Sequence, residues 1–449
     1  WDLEIGYMSA HNPQRQPNPA LLFDKITGYP PGYRVLTCSM STRSRFAFTA
    51  NLADTASNLE MVGVLSKKLG EWEAEADNFS PEVVSTGPIL ENIDSGKDID
   101  LFKFPVPKWH ELDGGRYIGT GHVFITRDPE TGMVNLGTYR VMAHDKNSAG
   151  VYIATAGKLG KIHLDKWHAM GKPCPVAVSV GHHPLFLAMG VNLFSKSEYE
   201  IAGAIMQERI KVITEELTGL PIPADGEIVL AGWIYPGKTR EEGPFGEATG
   251  YYAGGKKQEP LIEVERVYYR HNPIILGSPP GRPPAEHLYA QQMVWCARVH
   301  EALISSGIPG IKGVWCHEAA GGAKFIVVSI KQMYMGHAKK VALSAAQISP
   351  SFWGRYVIVV DEDIDPSNMN DVIWALVMRS QPVKDIDIIR DCSSIALDPL
   401  VPKPTDICST SMAMINACVP YERIKDFPPT IQYSPDLVER VHKKFKDLF

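Results

Sequence analysis

A change in hydrophobic pattern at about residue 285 limits what this chain can fold into. Between about residues 113 and 284, short segments rich in β-branched and aromatic residues are separated by Gly, Pro and Asp, which is typical of strands. After residue 285, strand-like segments alternate with helical ones, and this alternation favours a parallel sheet covered by helices. The predicted fold class is therefore mixed α/β (α+β), with a strand-rich middle region and a C-terminal doubly wound α/β domain.

The same patterns predict the individual elements. For the middle region we predict one helix, Ser197–Gln207, and seven strands: Gly121–Arg127, Leu136–Met142, Val151–Thr155, Pro175–Val180, Arg209–Thr214, Glu227–Ile234 and Leu261–Arg270. After residue 285 we predict a helix through Tyr289–Leu303, strands at Lys324–Ile330, Arg355–Asp361 and Asp385–Arg390, and helices at Gly336–Ile348, Asn370–Arg379 and Ser434–Phe449.

The first 112 residues carry mixed signals. A strand is predicted at Tyr33–Cys38 and an amphipathic helix at Asn58–Leu69. The alternation of the first apolar residues, Leu3 and Ile5, also indicates a strand. Phe104–Trp109 contains two prolines and is predicted to be a linker. Because the chain begins with Trp and not Met, we expect its natural start to be missing.

The composition excludes several classes of protein. The 449 residues carry 45 Lys and Arg against 51 Asp and Glu, and the net charge of −6 gives no electrostatic basis for binding nucleic acid or an anionic membrane surface. No apolar run reaches the roughly 18 residues of a membrane span, and the first residues lack the pattern of a signal peptide. Seven scattered cysteines without a CxxC pair are typical of reduced thiols, so we expect a cytoplasmic enzyme.

The segment Glu241–Glu247 (EEGPFGE) contains the most informative acidic pair. Its proline and two glycines exclude a regular helix, so we expect a turn that brings Glu242 and Glu247 together beside Phe245. Paired carboxylates in a partly apolar site have pKa values that are pushed apart, so one of them can act as an acid near neutral pH. The alternative is an acidic turn that faces solvent.

Asn135 and Arg140 form a second candidate pair within the sequence NLGTYR. Five residues is an odd step, so in a flat strand the two side chains would face opposite sides. A bulge at Gly137 could correct this register. The alternative is an ordinary strand with one surface arginine.

A third segment, Ser195–Glu200, precedes the predicted helix of the middle region. Ser195 with Glu198, and Ser197 with Glu200, both fit the spacing of a helix capping box. Either glutamate could therefore serve only to cap the helix.

Taken together, these segments resemble the UbiD family of reversible decarboxylases, which use prenylated flavin mononucleotide (prenylated FMN). The family's N-x4-R signature matches Asn135 and Arg140, and its E-G-P-F-G-E turn matches Glu242–Glu247 without a gap. Its S-E-Y segment matches Ser197–Tyr199, and the segment Val357–Trp374 is similar to the family's C-terminal domain.

The resemblance implies three domains and an assembly. We expect an N-terminal α/β segment at residues 1–112, a split-barrel domain that binds prenylated FMN at residues 113–284, and an oligomerisation domain at residues 285–449. A homodimer or homohexamer is expected, with the cofactor supplied by a separate flavin prenyltransferase.

The resemblance also implies the catalytic roles. Arg140, Glu242 and Glu247 would form the catalytic network. Arg140 would bind the substrate carboxylate, a task that suits its planar guanidinium, and Glu242 would hold Arg140 in place. Glu247 would protonate the carbon from which carbon dioxide departs. The implied cofactor-binding residues are Asn135, Thr138, Tyr139, Arg140, Lys158, Met189, Gly190 and Glu198.

Two metal ions are implied as well. Asn135 and Glu198 would bind Mn²⁺ (or Mg²⁺), which clamps the flavin phosphate, because oxygen ligands suit hard cations. Potassium would bind near Glu198 through the carbonyls of Met189 and Gly190. One departure concerns Leu159, which stands where the family usually has a metal-binding histidine. His163 lies four residues further on, and nothing in the sequence gives it that role.

The substrates implied by the resemblance are aromatic, heteroaromatic or α,β-unsaturated acids, which would release carbon dioxide. Residues expected to surround a flat ring are Ile153, Ala248 and Ile308, and a ring hydroxyl could meet His182, His183, Tyr251 or Tyr252. Two rival functions remain open. One is a hydrolase that uses Glu242 and Glu247 across a scissile bond. The other is a non-catalytic flavin-binding subunit of a larger carboxylase complex.

Overall fold

The computed structural model describes residues 1–15, 17–153, 157–192, 194–348, 354–395, 397–401 and 408–446. The described strands are β1 (Leu21–Phe23), β2 (Arg34–Thr37), β3 (Glu82–Val83), β4 (Asn92–Ser95), β5 (Arg116–Gly119), β6 (Val123–Arg127), β7 (Val134–Gly137), β8 (Val141–Ala143), β9 (Ser148–Val151), β10 (Cys174–Ser179), β11 (Lys211–Thr214), β12 (Pro221–Pro223), β13 (Ile228–Glu242), β14 (Lys257–Tyr269), β15 (Ile274–Leu276), β16 (Ile311–Cys316), β17 (Phe325–Ile330), β18 (Tyr356–Asp361), β19 (Ile386–Ser393) and β20 (Ser409–Asn416). The described α-helices are α1 (Asp2–His11), α2 (Arg43–Thr49), α3 (Asn58–Glu75), α4 (Leu159–Ala169), α5 (Pro184–Gly190), α6 (Glu198–Met206), α7 (Glu286–Ser305), α8 (His337–Gln347), α9 (Met369–Arg379), α10 (Pro382–Asp385) and α11 (Pro435–Lys444).

The middle of the chain forms a curled sheet with the strand order β5-β8-β9-β14-β13-β10-β6-β7, and β4 pairs with β14. Strand β7 lies at one end of this order and β8 lies next to the other end, yet only residues 138–140 connect them. In a flat sheet the two strands would be roughly 29 Å apart, which is six strand spacings, whereas the connection reaches about 14 Å at full extension. The sheet therefore has to curl, and the predicted split-barrel fold is confirmed.

The connection at residues 138–140 also corrects a prediction. The segment Leu136–Met142 is not one strand, because β7 ends at Gly137 and β8 begins at Val141. A Cβ atom at Gly137 would lie 2.4 Å from the ring of Tyr139, so only glycine allows the chain to turn back this closely. Asn135 therefore lies in β7 and Arg140 in the connection that follows it, so the two do not share one strand and a bulge at Gly137 is not what relates them.

The other strands predicted for the middle region correspond to β6, β10, β11, β13 and β14, with shifted boundaries. The predicted strand Val151–Thr155 is wrong in position, because β9 ends at Val151. Ala154 and Thr155 lie outside the described residues, as do residues 447–449 of the predicted C-terminal helix.

The prediction of a single helix in the middle region is wrong, since α4 and α5 join α6 there. Helix α5 is apolar at every position from Leu185 to Met189, all of which are buried, so it shows no amphipathic pattern. Helix α4 buries His163 beside Leu164. Because histidine is a polar residue, its presence on the buried face interrupts the apolar pattern by which an amphipathic helix is predicted from sequence. Trp167 fixes α4 to the sheet, because its Nε1 donates to the Arg127 carbonyl oxygen at 2.9 Å.

The N-terminal region differs from its prediction in two places. Residues 2–11 form a helix, α1, and not a strand, and Asp2 and Glu4 in its first turn suit the positive end of the helix dipole. The supposed linker at Phe104–Trp109 is packed in a core, where Phe104 is fully buried and Trp109 is 1% exposed. The predicted strand and helix are both present, as β2 and α3.

The C-terminal region contains a sheet with the order β16-β17-β18-β20-β19. Its three central strands are parallel, and the two outer strands are antiparallel. Val328 of β17 packs in the same core as α7 and α8, whereas Val327 packs with Val372 and Ala375 of α9. Helices therefore cover both faces, and the prediction of a doubly wound domain is confirmed. The domain boundaries at residues 112 and 284 stay a prediction.

None of the helices in the described ranges is long and apolar enough to cross a lipid bilayer.

Candidate active site

The acidic turn is buried and does not face solvent. Glu242 is the last residue of β13 and is 1% exposed, and Glu247 is 6% exposed. Gly243 has a φ of +86°, and a Cβ atom there would lie 2.3 Å from the carbonyl oxygen of Gly255. Glycine is therefore required at this position for the chain to turn directly after Glu242. The solvent-facing alternative is wrong for both glutamates.

Arg140 lies between these two carboxylates. Its Nε and Nη2 each donate to one oxygen of Glu242 at 2.8 Å, which is a bidentate pair, and its Nη1 donates to Glu247. The guanidinium carbon lies 4.1 Å from the ring centroid of Tyr152 and 5.2 Å from that of Phe245. Charge-assisted hydrogen bonds and two aromatic rings thus fix the orientation of a buried cation.

Tyr117 belongs to this cluster, and sequence reasoning missed it. Its hydroxyl donates to Oε1 of Glu242 at 2.8 Å. Its ring centroid lies 4.1 Å from that of Phe245. A lone tyrosine in strand β5 has no local sequence signal, because its partner is 125 residues further along the chain. Glu242 therefore accepts three hydrogen bonds, two from Arg140 and one from Tyr117.

Burial by itself shifts the pKa values of Glu247 and Arg140 in opposite directions. It raises the pKa of Glu247 above its ordinary value of 4.5 and outweighs the lowering effect of the nearby Arg140 charge. Burial alone would lower the pKa of Arg140, but hydrogen bonds and charge from Glu242 and Glu247 raise it overall. The arrangement therefore favours a permanent arginine cation beside a carboxyl group that can carry a proton.

A cavity of about 210 Å³ adjoins the cluster. Of the residues expected at the site, those that line it are Thr138, Tyr139, Arg140, Lys158, Gly190, Phe245, Glu247 and Ala248. Residues that the sequence did not suggest also line it: Thr120, Tyr152, Val191, Ser278, Pro280, His287, Leu288, Gln291 and Leu397. Asn135, Met189, Glu198 and Glu242 are not among the described lining residues.

The residues expected to surround the substrate are mostly elsewhere. Ile308 packs in the large core that contains α7, and Ile153 is not among the described lining residues. His182 and His183 line a separate cavity of about 190 Å³. Tyr251 is 61% exposed, and the hydroxyl of Tyr252 accepts a hydrogen bond from the backbone of Leu112. Of the expected pocket residues, Ala248 is the one that lines the cavity.

Asn135 and Glu198 are buried and close to each other. The backbone N–H of Leu136 donates to Glu198 Oε2 at 2.8 Å, and Nδ2 of Asn135 has no hydrogen-bond partner in the described part of the chain. Burial raises the pKa of Glu198 to about 7. The capping-box interpretation is wrong, because Ser197 makes no side-chain capping bond and Ser195 donates to Glu73 at 2.7 Å.

A hard cation fits this pair of residues only with further ligands. The carboxylate of Glu198 and the amide of Asn135 supply oxygen donors of the type that Mn²⁺ and Mg²⁺ prefer. Leu159 is apolar and opens α4, while His163 is bonded through Nδ1 to Thr126 Oγ1 at 2.9 Å. Across the described ranges, no group of three or more His, Cys, Asp and Glu could hold a metal. A cofactor phosphate and water would have to complete the coordination.

Comparisons with known proteins agree with this fold. Three family models match, namely the 3-octaprenyl-4-hydroxybenzoate carboxy-lyase N-terminal domain at residues 1–63, the Rift-related domain (UbiD) at 82–283 and the C-terminal domain at 293–417. A phenolic acid decarboxylase of Streptomyces sp. (strain D7) is 31% identical over 93% of this chain and 89% of its own length. A pyrrole-2-carboxylic acid decarboxylase of Pseudomonas aeruginosa is 32% identical over 86% of this chain and 79% of its own length.

A solved structure is also similar along almost the whole chain. The UbiD-class enzyme HmfF from Pelotomaculum thermopropionicum, in complex with FMN, is 26% identical, with a TM-score of 0.84 over 98% of this chain and 94% of that one. An evolved dimeric form of HmfF was solved with prenylated FMN and has a TM-score of 0.79 at 26% identity, over 96% of this chain and 92% of that one.

The fold and these matches define the class of protein as a carboxy-lyase built on a curled sheet with a doubly wound C-terminal domain. The chain belongs to the UbiD family.

Proposed function

We propose that this enzyme is a reversible, non-oxidative decarboxylase that uses prenylated FMN and acts on an aromatic, heteroaromatic or α,β-unsaturated carboxylic acid. The observation that carries the proposal is the buried Arg140, held by Glu242 and Glu247 at the wall of a cavity. A binding protein has no need of a proton donor beside a fixed cation. The relatives named as decarboxylases of phenolic acids and of pyrrole-2-carboxylic acid support the same substrate class.

Arg140 would bind the substrate carboxylate. Three of its five N–H groups are used by Glu242 and Glu247, which leaves two for a ligand. When Glu247 is protonated, its attraction to Arg140 weakens and the Nη1 group becomes available for the substrate. The bidentate bond to Glu242 keeps the guanidinium oriented during this exchange.

Glu247 would supply the proton. Breaking the carbon–carbon bond to the carboxylate releases carbon dioxide and leaves an electron pair on the substrate carbon. Prenylated FMN, when bound, supplies the electron sink for that pair. Glu247 then transfers its proton to the carbon, and the resulting carboxylate stays beside Arg140, which stabilises its charge. The pKa of Glu247, raised by burial, favours the protonated form that this step requires.

The cofactor would lie between the curled sheet and α7. Its proposed ligands are the residues implied by the family: Asn135, Thr138, Tyr139, Arg140, Lys158, Met189, Gly190 and Glu198. Asn135 and Glu198 would hold Mn²⁺ or Mg²⁺, and a cation there would neutralise the buried Glu198 carboxylate. The carbonyls of Met189 and Gly190 accept backbone hydrogen bonds from Asn192 and Thr138, so each would offer its second lone pair to K⁺.

The proposal also covers the cofactor supply, assembly and cellular compartment of the enzyme. It would depend on a separate flavin prenyltransferase for its cofactor and would assemble as a homodimer or homohexamer. All seven cysteines are free thiols, which suits a reducing cytoplasmic compartment.

The test is to purify the protein from cells that co-express a flavin prenyltransferase, and to record its absorbance and its release of carbon dioxide from a panel of aromatic acids. The proposed enzyme would be coloured and would release carbon dioxide. A hydrolase would be colourless. A flavin-binding subunit, which the loss of a ligand at Leu159 would favour, would be coloured but inert with every acid.

A further inference from the structure

The segment at residues 110–114 packs directly against the turn that carries Glu247. The backbone N–H of Gly114 donates to the carbonyl oxygen of Pro244 at 2.8 Å. A Cβ atom at Gly114 would lie 2.0 Å from the carbonyl oxygen of Gly243, so no side chain fits between the two segments. The position of the acidic turn therefore depends on a segment that lies far earlier in the chain.

Asp113 joins the two segments through its side chain, which has no exposed surface. Its Oδ1 accepts a hydrogen bond from the backbone N–H of Gly246 at 3.0 Å, next to Glu247. Its Oδ2 accepts from the backbone N–H of His110 at 2.9 Å and lies 3.2 Å from Nδ1 of that histidine. A Cβ atom at Gly246 would lie 2.8 Å from the same nitrogen, so the contact is close. One oxygen of Asp113 therefore holds its own turn, and the other holds the acidic turn.

A structural role alone does not account for the charge of Asp113. A carboxylate without exposed surface is costly to bury, and within the described ranges it forms no ion pair with Lys or Arg. The oxygen of a neutral side-chain amide can also accept a backbone hydrogen bond, at a lower cost of burial. The charge therefore needs an explanation beyond holding the two turns.

The charge of Asp113 acts on the neighbouring acid. Burial has the largest effect on the pKa of Glu247 and raises it. The Arg140 charge lowers this pKa, whereas the negative charges of Glu242 and Asp113 raise it. Asp113 thus favours the protonated form that proton transfer requires. Further titratable or charged side chains near this cluster or on its cavity wall are His110, Tyr117, Tyr152, Lys158, Lys257, Glu259 and His287.

We propose that Asp113 is a positioning residue for proton transfer, which holds the turn that carries Glu247 and places a further negative charge near that acid. The inference rests on the proposed function, since it takes Glu247 to be the proton donor. Asp113 is not among the described residues that line the cavity, so it acts on the substrate only through the acidic turn.

The experiment compares variants of the full chain, loaded with prenylated FMN, by the pH dependence of kcat. The substrate is the acid of the panel that the wild type decarboxylates fastest. Asp113→Asn removes the charge and so lowers the pKa of Glu247, and the decline of kcat at high pH should begin at a lower pH than in the wild type. Asp113→Glu keeps the charge but displaces the carboxylate. Its decline should stay close to the wild-type pH, while kcat falls about tenfold at every pH.

A second measurement needs neither cofactor nor turnover. The protonated carboxyl group of Glu247 has an infrared band, which Glu247→Gln identifies by its loss. In the protein without cofactor, this band should disappear at a lower pH in Asp113→Asn than in the wild type. A change in the folding of the turn alone would lower kcat without moving either titration.

Glu111→Gln is the matched control, because Glu111 lies in the same segment but is exposed, and it should behave like the wild type. Unchanged FMN binding, followed by flavin fluorescence, shows that each variant has folded. Titration at the wild-type pH in Asp113→Asn, or a wild-type kcat in Asp113→Glu, would overturn the inference and leave the proposed function intact. The second outcome decides the matter if Asp113→Asn does not fold. A wild-type protein that releases carbon dioxide from no acid of the panel would overturn both.

Discussion

The Arg140 cluster and the residues proposed to hold the cofactor, Lys158 and Glu198, are prepared for their ligands in opposite ways. Around Arg140, each charged group is hydrogen-bonded within the protein, since Glu242 accepts hydrogen bonds from Arg140 and Tyr117, and Glu247 accepts one from the same guanidinium. By contrast, the half-buried Lys158 and the buried Glu198 form no ion pair among the described residues. The first set of residues is bonded internally, and the second would gain its partners from the charged ligands proposed for it.

This difference agrees with the roles proposed for the two sets of residues. A group that transfers a proton must be in position before the substrate arrives, so its orientation is fixed by bonds within the protein. A site that binds a charged cofactor gains affinity when its own charges are uncompensated beforehand, because the ligand then supplies the missing partner. Mutations around Arg140 should therefore affect substrate binding or turnover, whereas mutations of Lys158 and Glu198 should affect cofactor occupancy.

The largest effect is expected from Glu247→Gln, which should also distinguish the Arg140 cluster most clearly from the residues proposed to hold the cofactor. Glu247→Gln keeps a hydrogen-bonding side chain but removes the transferable proton. Flavin binding should be unchanged, while turnover should fall by at least about 10²-fold, the low end for general acid catalysis. The measurement is the rate of deuterium incorporation into the product in heavy water. Glu241→Gln is the matched control, because Glu241 is exposed and paired with Lys256 at 2.8 Å. Exchange at the wild-type rate in Glu247→Gln would remove that residue from the proton-transfer role.

The second prediction concerns Glu198, one of the residues proposed to hold the cofactor. Glu198→Ala removes the one anionic oxygen ligand proposed for the metal and should lower the affinity for metal and FMN together by about 10- to 100-fold, as expected for a charged interaction. Glu200→Ala, in the same first turn of α6, should leave both unchanged. Elemental analysis and flavin absorbance of the two purified proteins decide the matter. Metal loss in Glu200→Ala with retention in Glu198→Ala would reverse the assignment.

The candidate site could be predicted from the sequence only where its residues lie close together along the chain. The turn at Glu242–Glu247 is a contiguous motif, so its shape and its paired carboxylates could be predicted. Arg140 could be grouped with that turn only through the family resemblance, because its contact with Glu242 spans 102 residues. Tyr117 belongs to no motif, and whether Lys158 has an ionic partner, which it lacks among the described residues, depends on which distant side chains fold beside it.

The fold shows the same limit. Strands with alternating or β-branched residues were predictable, as were long amphipathic helices such as α3 and α7. Helix α5 was not, since a wholly buried helix has no polar face to give a period. Two apolar residues, Leu3 and Ile5, were too few to distinguish a strand from the first turn of α1. The errors lie where tertiary burial, and not local pattern, decides the structure.

The third prediction is that the rate of decarboxylation depends on pH through Glu247 of the Arg140 cluster. In the proposed mechanism Glu247 acts in its protonated form, and burial raises its pKa above 4.5. The rate of decarboxylation should therefore be full below that raised pKa and fall by about tenfold per pH unit above it. Initial rates across the pH range test this, with Glu247→Gln as the control, whose residual rate should not follow the same profile. A wild-type rate that rises with pH through this range would mean that the ionised form acts, as a base.

The smallest effect should come from Tyr117, which acts on the substrate only through Glu242 and Arg140. Tyr117→Phe deletes one hydrogen bond to Glu242 and keeps the ring that stacks on Phe245. Because the two bonds from Arg140 remain, we expect a loss of about 1 kcal/mol, or roughly fivefold, in kcat/KM. The loss should appear as a higher KM, since a less firmly held Arg140 binds the substrate carboxylate less well, while kcat stays near the wild-type value.

Tyr433→Phe, at a tyrosine that is 71% exposed, is the control for the change of residue type. Equal falls in kcat and kcat/KM, with KM unchanged, would show instead that Tyr117 acts in the transition state, and the separation between holding the substrate and transferring the proton would then be wrong.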